Sequence, residues 1–168
     1  MRPVSAAVFL RYARSLDFVT EINLLGHSQG GVIAGMLSGY YHDVVKRLVM
    51  LAPAATLKSD AQEGHCFRAT YDPQRVPESV CVDGVHEVGG LYFRMAQTLP
   101  IYEVTARFDG PMLVVFGQKD QLVSLDAARR YMDGRTQRRL ALYESLDHGL
   151  QGADHTRMLA DIAAFLSR

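Results

Sequence analysis

The chain has 168 residues, 48% of them hydrophobic, and its eighteen basic and eighteen acidic side chains cancel to a formal net charge of zero. Charge this balanced and unblocked lacks the footprint of a nucleic-acid or membrane-surface binder, so the expected partner is a small molecule, with no nucleic acid and no membrane. One domain of this length buries ~70% of its unfolded surface, and no apolar run approaches the ~18 residues of a membrane helix.

Residues 4–16 mix apolar and basic positions in the pattern of an amphipathic helix. Arg11 and Arg14 interrupt the run Ala6-Ala7-Val8-Phe9-Leu10 too early for the core of a signal peptide, so a cytoplasmic location is expected. Ile22 to Leu25 then form a short apolar run of the kind that makes a buried strand. Gly26-His27-Ser28-Gln29-Gly30 turns the chain, and Val32, Ile33, Met36 and Leu37 follow at helical spacing.

Strand, tight turn and helix in immediate succession are the context of a G-x-S-x-G nucleophile elbow. Such a turn thrusts the Ser28 hydroxyl outward. Gly26 and Gly30 are expected to remove side chains that would collide as strand and helix close, and the Gln29 amide points to the same spot as an oxyanion donor. The motif alone is weak, since it arises by accident in roughly one chain in twenty of this length.

A second buried strand is expected over residues 47–51, closed by Ala52-Pro53. Helix and strand alternating in this way predict an α/β fold with a parallel sheet and helical crossovers. The pattern breaks over residues 56–108, where Gly64, Pro73, Pro77, Gly84, Gly89, Gly90 and Pro100 leave room only for short pieces. A stretch of this length reads as a cap inserted into a core made of residues 1–55 and 109–168. Two cysteines, Cys66 and Cys81, are too few for a disulfide framework. His65 beside Cys66 lacks partners at ligand spacing, so no metal and no cofactor are expected.

Regularity returns with a strongly apolar strand over 111–117, followed by Asp120 in a loop. Ser124 is a candidate N-cap for a helix over 125–132, with Gly134 suited to its C′ position. A fourth strand over 139–143 leads to Asp147-His148-Gly149, and Asp154 is a candidate cap for a final helix. Ser28, Asp120 and His148 therefore each lie just beyond the carboxyl end of an expected strand. In a parallel sheet these ends share one edge, so three residues distant in sequence can converge. Their order, Ser then Asp then His, matches an acyl-transfer triad in which serine attacks, histidine moves the proton and aspartate orients the imidazole.

Asp126 lies one turn into the next helix and suits its dipole better than catalysis. His42, His65 and His86 precede the aspartate strand and violate the order, while His155 reads as a surface residue. His27 flanks the nucleophile rather than serving it and is grouped with the substrate-binding residues.

With these residues placed, the chain resembles the α/β-hydrolase superfamily, and within it the bacterial cinnamoyl (feruloyl) esterases. The likeness rests on G-H-S-Q-G-G-V at 26–32, L-A-P-A-A-T-L-K at 51–58, L-P-I-Y-E at 99–103 and D-H-G at 147–149. It implies a serine esterase acting on hydroxycinnamate esters. The cap would receive the aromatic acyl group, with Asp60 and Tyr92 binding its phenolic hydroxyl; the alternative is that Tyr92 is cap core and Asp60 a helix cap. Where that family tends to carry an N-T-Q-G-like run, this chain has His65-Cys66-Phe67-Arg68.

The resemblance also implies strands before the elbow strand, and a loop with a second oxyanion donor, that do not precede residue 21 here. A partial α/β-hydrolase fold, truncated at its N-terminus, is the expectation. The strand at 22–25 would then be an exposed apolar edge. Other readings are a generic carboxylesterase or thioesterase, and an impaired hydrolase fragment that pairs its edge with a second copy as a homodimer.

Overall fold

A computed structural model of the chain describes residues 3–132 and 134–168. Helix α1 (Pro3–Arg14) places Arg11 and Arg14 in its last turn, where cations complement the carbonyl end of the helix dipole. Its Leu10 is buried, whereas Phe9 and Tyr12 are exposed. Strand β1 (Ile22–His27), helix α2 (Gln29–Tyr40) and strand β2 (Val45–Leu51) follow.

Seven short elements come next. They are α3 (Leu57–Glu63), β3 (His65–Cys66), β4 (Ala69–Thr70), β5 (Ser79–Cys81), β6 (Glu87–Gly89), α4 (Gly90–Ala96) and α5 (Ile101–Thr105). The chain closes with β7 (Met112–Gly117), α6 (Leu125–Arg129), β8 (Arg138–Tyr143) and α7 (His155–Leu166).

Two compact units result, one made of Met1–Ala54 with Ile101–Arg168 and the other of Ala55–Pro100. In the first, β1, β2, β7 and β8 form a four-stranded sheet in that order, and every ladder is parallel. All six residues of β7 are buried, as are all of β2 except Lys46. These two strands have a neighbour on each side, which accounts for their continuous Val, Leu and Met runs. In β1 only Gly26 is buried, and Leu25 is 51% exposed. The apolar run alone suggests a buried strand, which is corrected; β1 has one paired neighbour and forms the edge of this sheet, as the expectation of a truncated fold implies.

Helix α2 buries small residues nearly all round, with Gly31, Ala34, Gly35, Ser38 and Gly39 inside along with the expected Val32 and Leu37. A Cβ on Gly35 would lie 2.9 Å from both the Met50 sulfur and the Thr105 hydroxyl. The absence of bulk lets α5 pack against α2, and this contact assigns residues 101–108 to the sheet unit. The second unit thus ends at Pro100, not at the expected residue 108.

That second unit has no element longer than seven residues. Two antiparallel pairs, β3 with β4 and β5 with β6, supply its sheets. Val80, Val82 and Phe93 are buried at its centre, with Tyr71 and Tyr92 packed around them. The Gln97 amide binds the carbonyls of Ala61 and Pro73 at 3.1 and 2.8 Å, tying α3 to the chain that follows β4. Cys66 and Cys81 are both free thiols.

Two of the three expected helix-end residues differ from expectation. Helix α6 stops at Arg129, so Gly134, although its φ is 84°, lies too far beyond to be a C′ residue. Ser124 does cap α6 by accepting the Asp126 N–H at 3.1 Å. Asp154 makes no cap, because its carboxylate instead accepts the Ser145 amide and hydroxyl at 3.0 and 2.8 Å. Among the described residues no helix is long and apolar enough to cross a membrane, and no cluster of three metal-ligating side chains occurs.

Candidate active site

The turn between β1 and α2 is set by backbone sterics. A Cβ on Gly26 would overlap the carbonyl of Gly30, so only glycine allows strand and helix to approach so closely here. Gly30 itself has nothing within 4 Å of the corresponding position, which corrects its expected role; the crowded partner is Gly31, whose Cβ would lie 3.1 Å from the Gly26 carbonyl oxygen and from Pro53 Cβ.

Ser28 sits at φ 54° and ψ −122°, a conformation that non-glycine residues rarely adopt. Backbone bonds hold it there. Its N–H donates to the Leu51 carbonyl at 2.8 Å, and its carbonyl accepts from Gly31 and Ala54 at 3.0 and 3.1 Å. The end of β2 thus clamps the strained residue on both sides.

Asp120 and His148 are brought together by the ends of β7 and β8. Gln118 N–H donates to the Tyr143 carbonyl at 2.9 Å and Lys119 N–H to that of Leu146 at 3.0 Å, which laces the two loops to each other. Gly117 is required at this crossing, since a Cβ there would overlap the Leu146 carbonyl. One carboxylate oxygen of Asp120 accepts the amides of Leu122 and Val123 at 2.8 and 3.0 Å. The other oxygen accepts the His148 Nδ1–H at 2.8 Å, and the Asp120 side chain is wholly buried.

With Nδ1 donating to a carboxylate, the neutral imidazole presents its Nε2 lone pair outward. That nitrogen lies 2.9 Å from Ser28 Oγ, in position to accept the hydroxyl proton. The array Ser28, His148, Asp120 is continuous. Asp126 is occupied elsewhere, bound to Arg129 at 3.0 Å.

The other expected residues divide between the units. Gln29 is the first residue of α2, immediately after Ser28. The His27 ring lies 5.1 Å from that of His148, and its Nε2–H donates to the His148 carbonyl at 2.7 Å.

Asp60 and Tyr92 belong to the second unit. Asp60 is on α3, 3.3 Å from His65 Nε2, and its pKa is raised first by burial. Burial pushes the Tyr92 phenol up to about 12, with nearby Cys66, Asp60 and Tyr71 adding to the rise. Tyr92 packs edge-on against Phe93 at 5.2 Å.

His155 is a residue whose part was not read from sequence. It is half-buried, and its Nδ1–H donates to the Leu150 carbonyl at 2.8 Å, bracing the loop that carries His148. Leu150 has φ 61°, which marks how tightly that loop turns. Nothing in a single histidine at a helix start announces such a bond.

A parallel sheet with helical crossovers, a strained serine at one strand end and acid and base at two others define the α/β-hydrolase fold, and the chain has that fold. The solved structures similar to it include Est1E from Butyrivibrio proteoclasticus, with a TM-score of 0.84 and 27% identity over 96% of this chain and 69% of that one. Est1E with ferulic acid bound matches at the same TM-score and identity, over 96% and 68% of the two chains. The esterase domain of a Rhodothermus marinus protein matches at a TM-score of 0.71 and 16% identity, over 97% and 67%. No protein-family model and no curated protein matches the sequence.

Proposed function

We propose that this chain is a serine carboxylic-ester hydrolase that cleaves hydroxycinnamate (feruloyl-type) esters through Ser28, His148 and Asp120. The observation that carries the reading is the unbroken hydrogen-bond array from Ser28 Oγ to the buried Asp120 carboxylate, at 2.9 and 2.8 Å. Ser28 Oγ attacks the acyl carbonyl as His148 Nε2 takes its proton; the same nitrogen returns it to the departing alcohol, leaving an acyl-enzyme. Water, deprotonated by His148, then releases the acid. Asp120 holds the tautomer throughout and stabilises the imidazolium. The Gln29 N–H, at the positive end of α2, is the oxyanion donor of this scheme.

The acyl preference is supported by the likeness to Est1E, for which a ferulic acid complex exists. Asp60 and Tyr92 are assigned to the phenolic hydroxyl. A tyrosine held up to about 12 keeps its proton at neutral pH and can donate, while Asp60 can accept. Half-buried polar groups of this kind would discriminate against an acyl group lacking the hydroxyl, because it would leave them unpaired.

The test is hydrolysis of methyl ferulate, methyl cinnamate, a butyrate ester and a thioester by the chain and by Ser28→Ala. Ferulate turnover that falls by about 10⁶-fold in the variant is expected. A folded wild-type chain no faster than Ser28→Ala on every substrate would refute the hydrolase. Ser28-dependent turnover without preference for ferulate over cinnamate would leave a generic esterase and remove the phenol assignment.

A further inference from the structure

We infer that His27 is a positioning residue for the general base, acting through the backbone of His148; this rests on the serine-hydrolase reading of the same site. The His148 side chain is held at both ring nitrogens, by Asp120 and Ser28, but the direction of its Cα–Cβ bond depends on the peptide that follows. That peptide's carbonyl accepts the His27 Nε2–H at 2.7 Å. A carbonyl can only accept, so the bond also assigns the His27 tautomer, with its proton on Nε2.

The placement of this donor gives it leverage. His27 is the residue immediately before the nucleophile, at the end of β1, and its neighbour Gly26 is fixed by contact with Gly30. One turn therefore carries both the attacking oxygen and the clamp on the base that must receive its proton. The two imidazoles pack at 5.1 Å and 44°, so the ring of His27 limits tilting of His148 as well. On the far side, His155 holds the Leu150 carbonyl at 2.8 Å, leaving the intervening loop pinned at two carbonyls.

Two measurements on the wild-type chain, His27→Ala and His27→Gln test the clamp. The first is the kcat and KM of methyl ferulate hydrolysis; the second is the low-field proton resonance of His148 Nδ1–H, which reports its bond to Asp120 without requiring turnover. Glutamine places an amide donor near the position of the imidazole Nε2. In His27→Ala, kcat is expected to fall about 10- to 100-fold with KM within about twofold, since misplacement of a reacting group acts on the transition state. The low-field resonance is expected to broaden in His27→Ala, and both properties to recover in His27→Gln.

An unchanged resonance and kcat in His27→Ala would overturn the inference, as would a rise in KM alone, which would make His27 a substrate contact. If the wild-type chain shows no Ser28-dependent turnover, the hydrolase reading fails, and the resonance comparison still decides whether His27 positions His148.

Discussion

Strands β7 and β1 lie in one parallel sheet, and each delivers a residue of the hydrogen-bond array of Ser28, His148 and Asp120, but they hold it by different means. All six residues of β7 are buried, and the Asp120 side chain beyond it has no exposed surface. Strand β1 is an edge in which Gly26 alone is buried, and Ser28 beyond it is half-buried. Asp120 is placed by packing and Ser28 by backbone sterics: a glycine whose Cβ would meet the Gly30 carbonyl, a strained φ, and bonds to the end of β2. An edge strand can thus position a serine, since the placement comes from the turn and not from burial.

The largest effect expected is at the packed end. Asp120→Asn should leave the fold intact and lower kcat by about 10⁴-fold, because the amide favours the wrong imidazole tautomer. Steady-state kinetics beside circular dichroism checks it, and a loss under tenfold would show that the aspartate is dispensable. Next comes the contrast in packing itself. Leu113→Ala, at a position with no exposure, is expected to cost about 2–5 kcal/mol, while Leu25→Ala, half-exposed on β1, should stay within about 0.5 kcal/mol. Equal midpoint shifts in urea would erase the distinction between the two strands.

The sharper test concerns the turn. Gly26→Ala is expected to cost about 3 kcal/mol, because its Cβ must displace the Gly30 carbonyl. Gly30→Ala, with open space around it on a helix, should be stabilising by up to ~1 kcal/mol. Thermal unfolding of the pair would show whether both motif glycines are needed. Ser124→Ala should remove the α6 cap at about 1 kcal/mol.

The smallest effect is acid-dependent. The Ser145 hydroxyl and amide hold the Asp154 carboxyl below its ordinary range, with Arg157 assisting. A carboxyl whose folded value is depressed contributes stability that is present above its unfolded value and is lost as pH falls through the folded one. Asp154→Asn should therefore narrow the gap in stability between neutral and strongly acidic solution. A denaturation series across pH measures that gap, and an unchanged gap would contradict the assignment.

Much of the parallel sheet was legible because its central strands are continuous apolar runs bounded by Pro or Gly, as in Pro111 to Gly117. Ser28, Asp120 and His148 stood out as candidates because each follows an expected strand, in the order that an acyl-transfer triad takes. The elements inside the insert were not, since they span at most seven residues and depend on contacts such as Gln97 with Ala61 and Pro73, which have no period to detect. The C-terminal limit of the insert was misplaced for the same reason. Helix α5 has five residues, and the groove that receives it is made by glycines of α2 that carry no apolar signal.

Local information, then, determined which residues could be nucleophile, acid and base, and which runs must be strands, because hydrophobic periodicity and turn chemistry act over a few neighbouring residues. Tertiary structure alone decided which glycine of the elbow is required, that Asp154 binds Ser145 instead of capping a helix, and that His27 and His155 brace the loop of His148. Each of these depends on what lies across space from the residue: a carbonyl from the next element, or a loop more than a hundred positions away, as for His27 and His148.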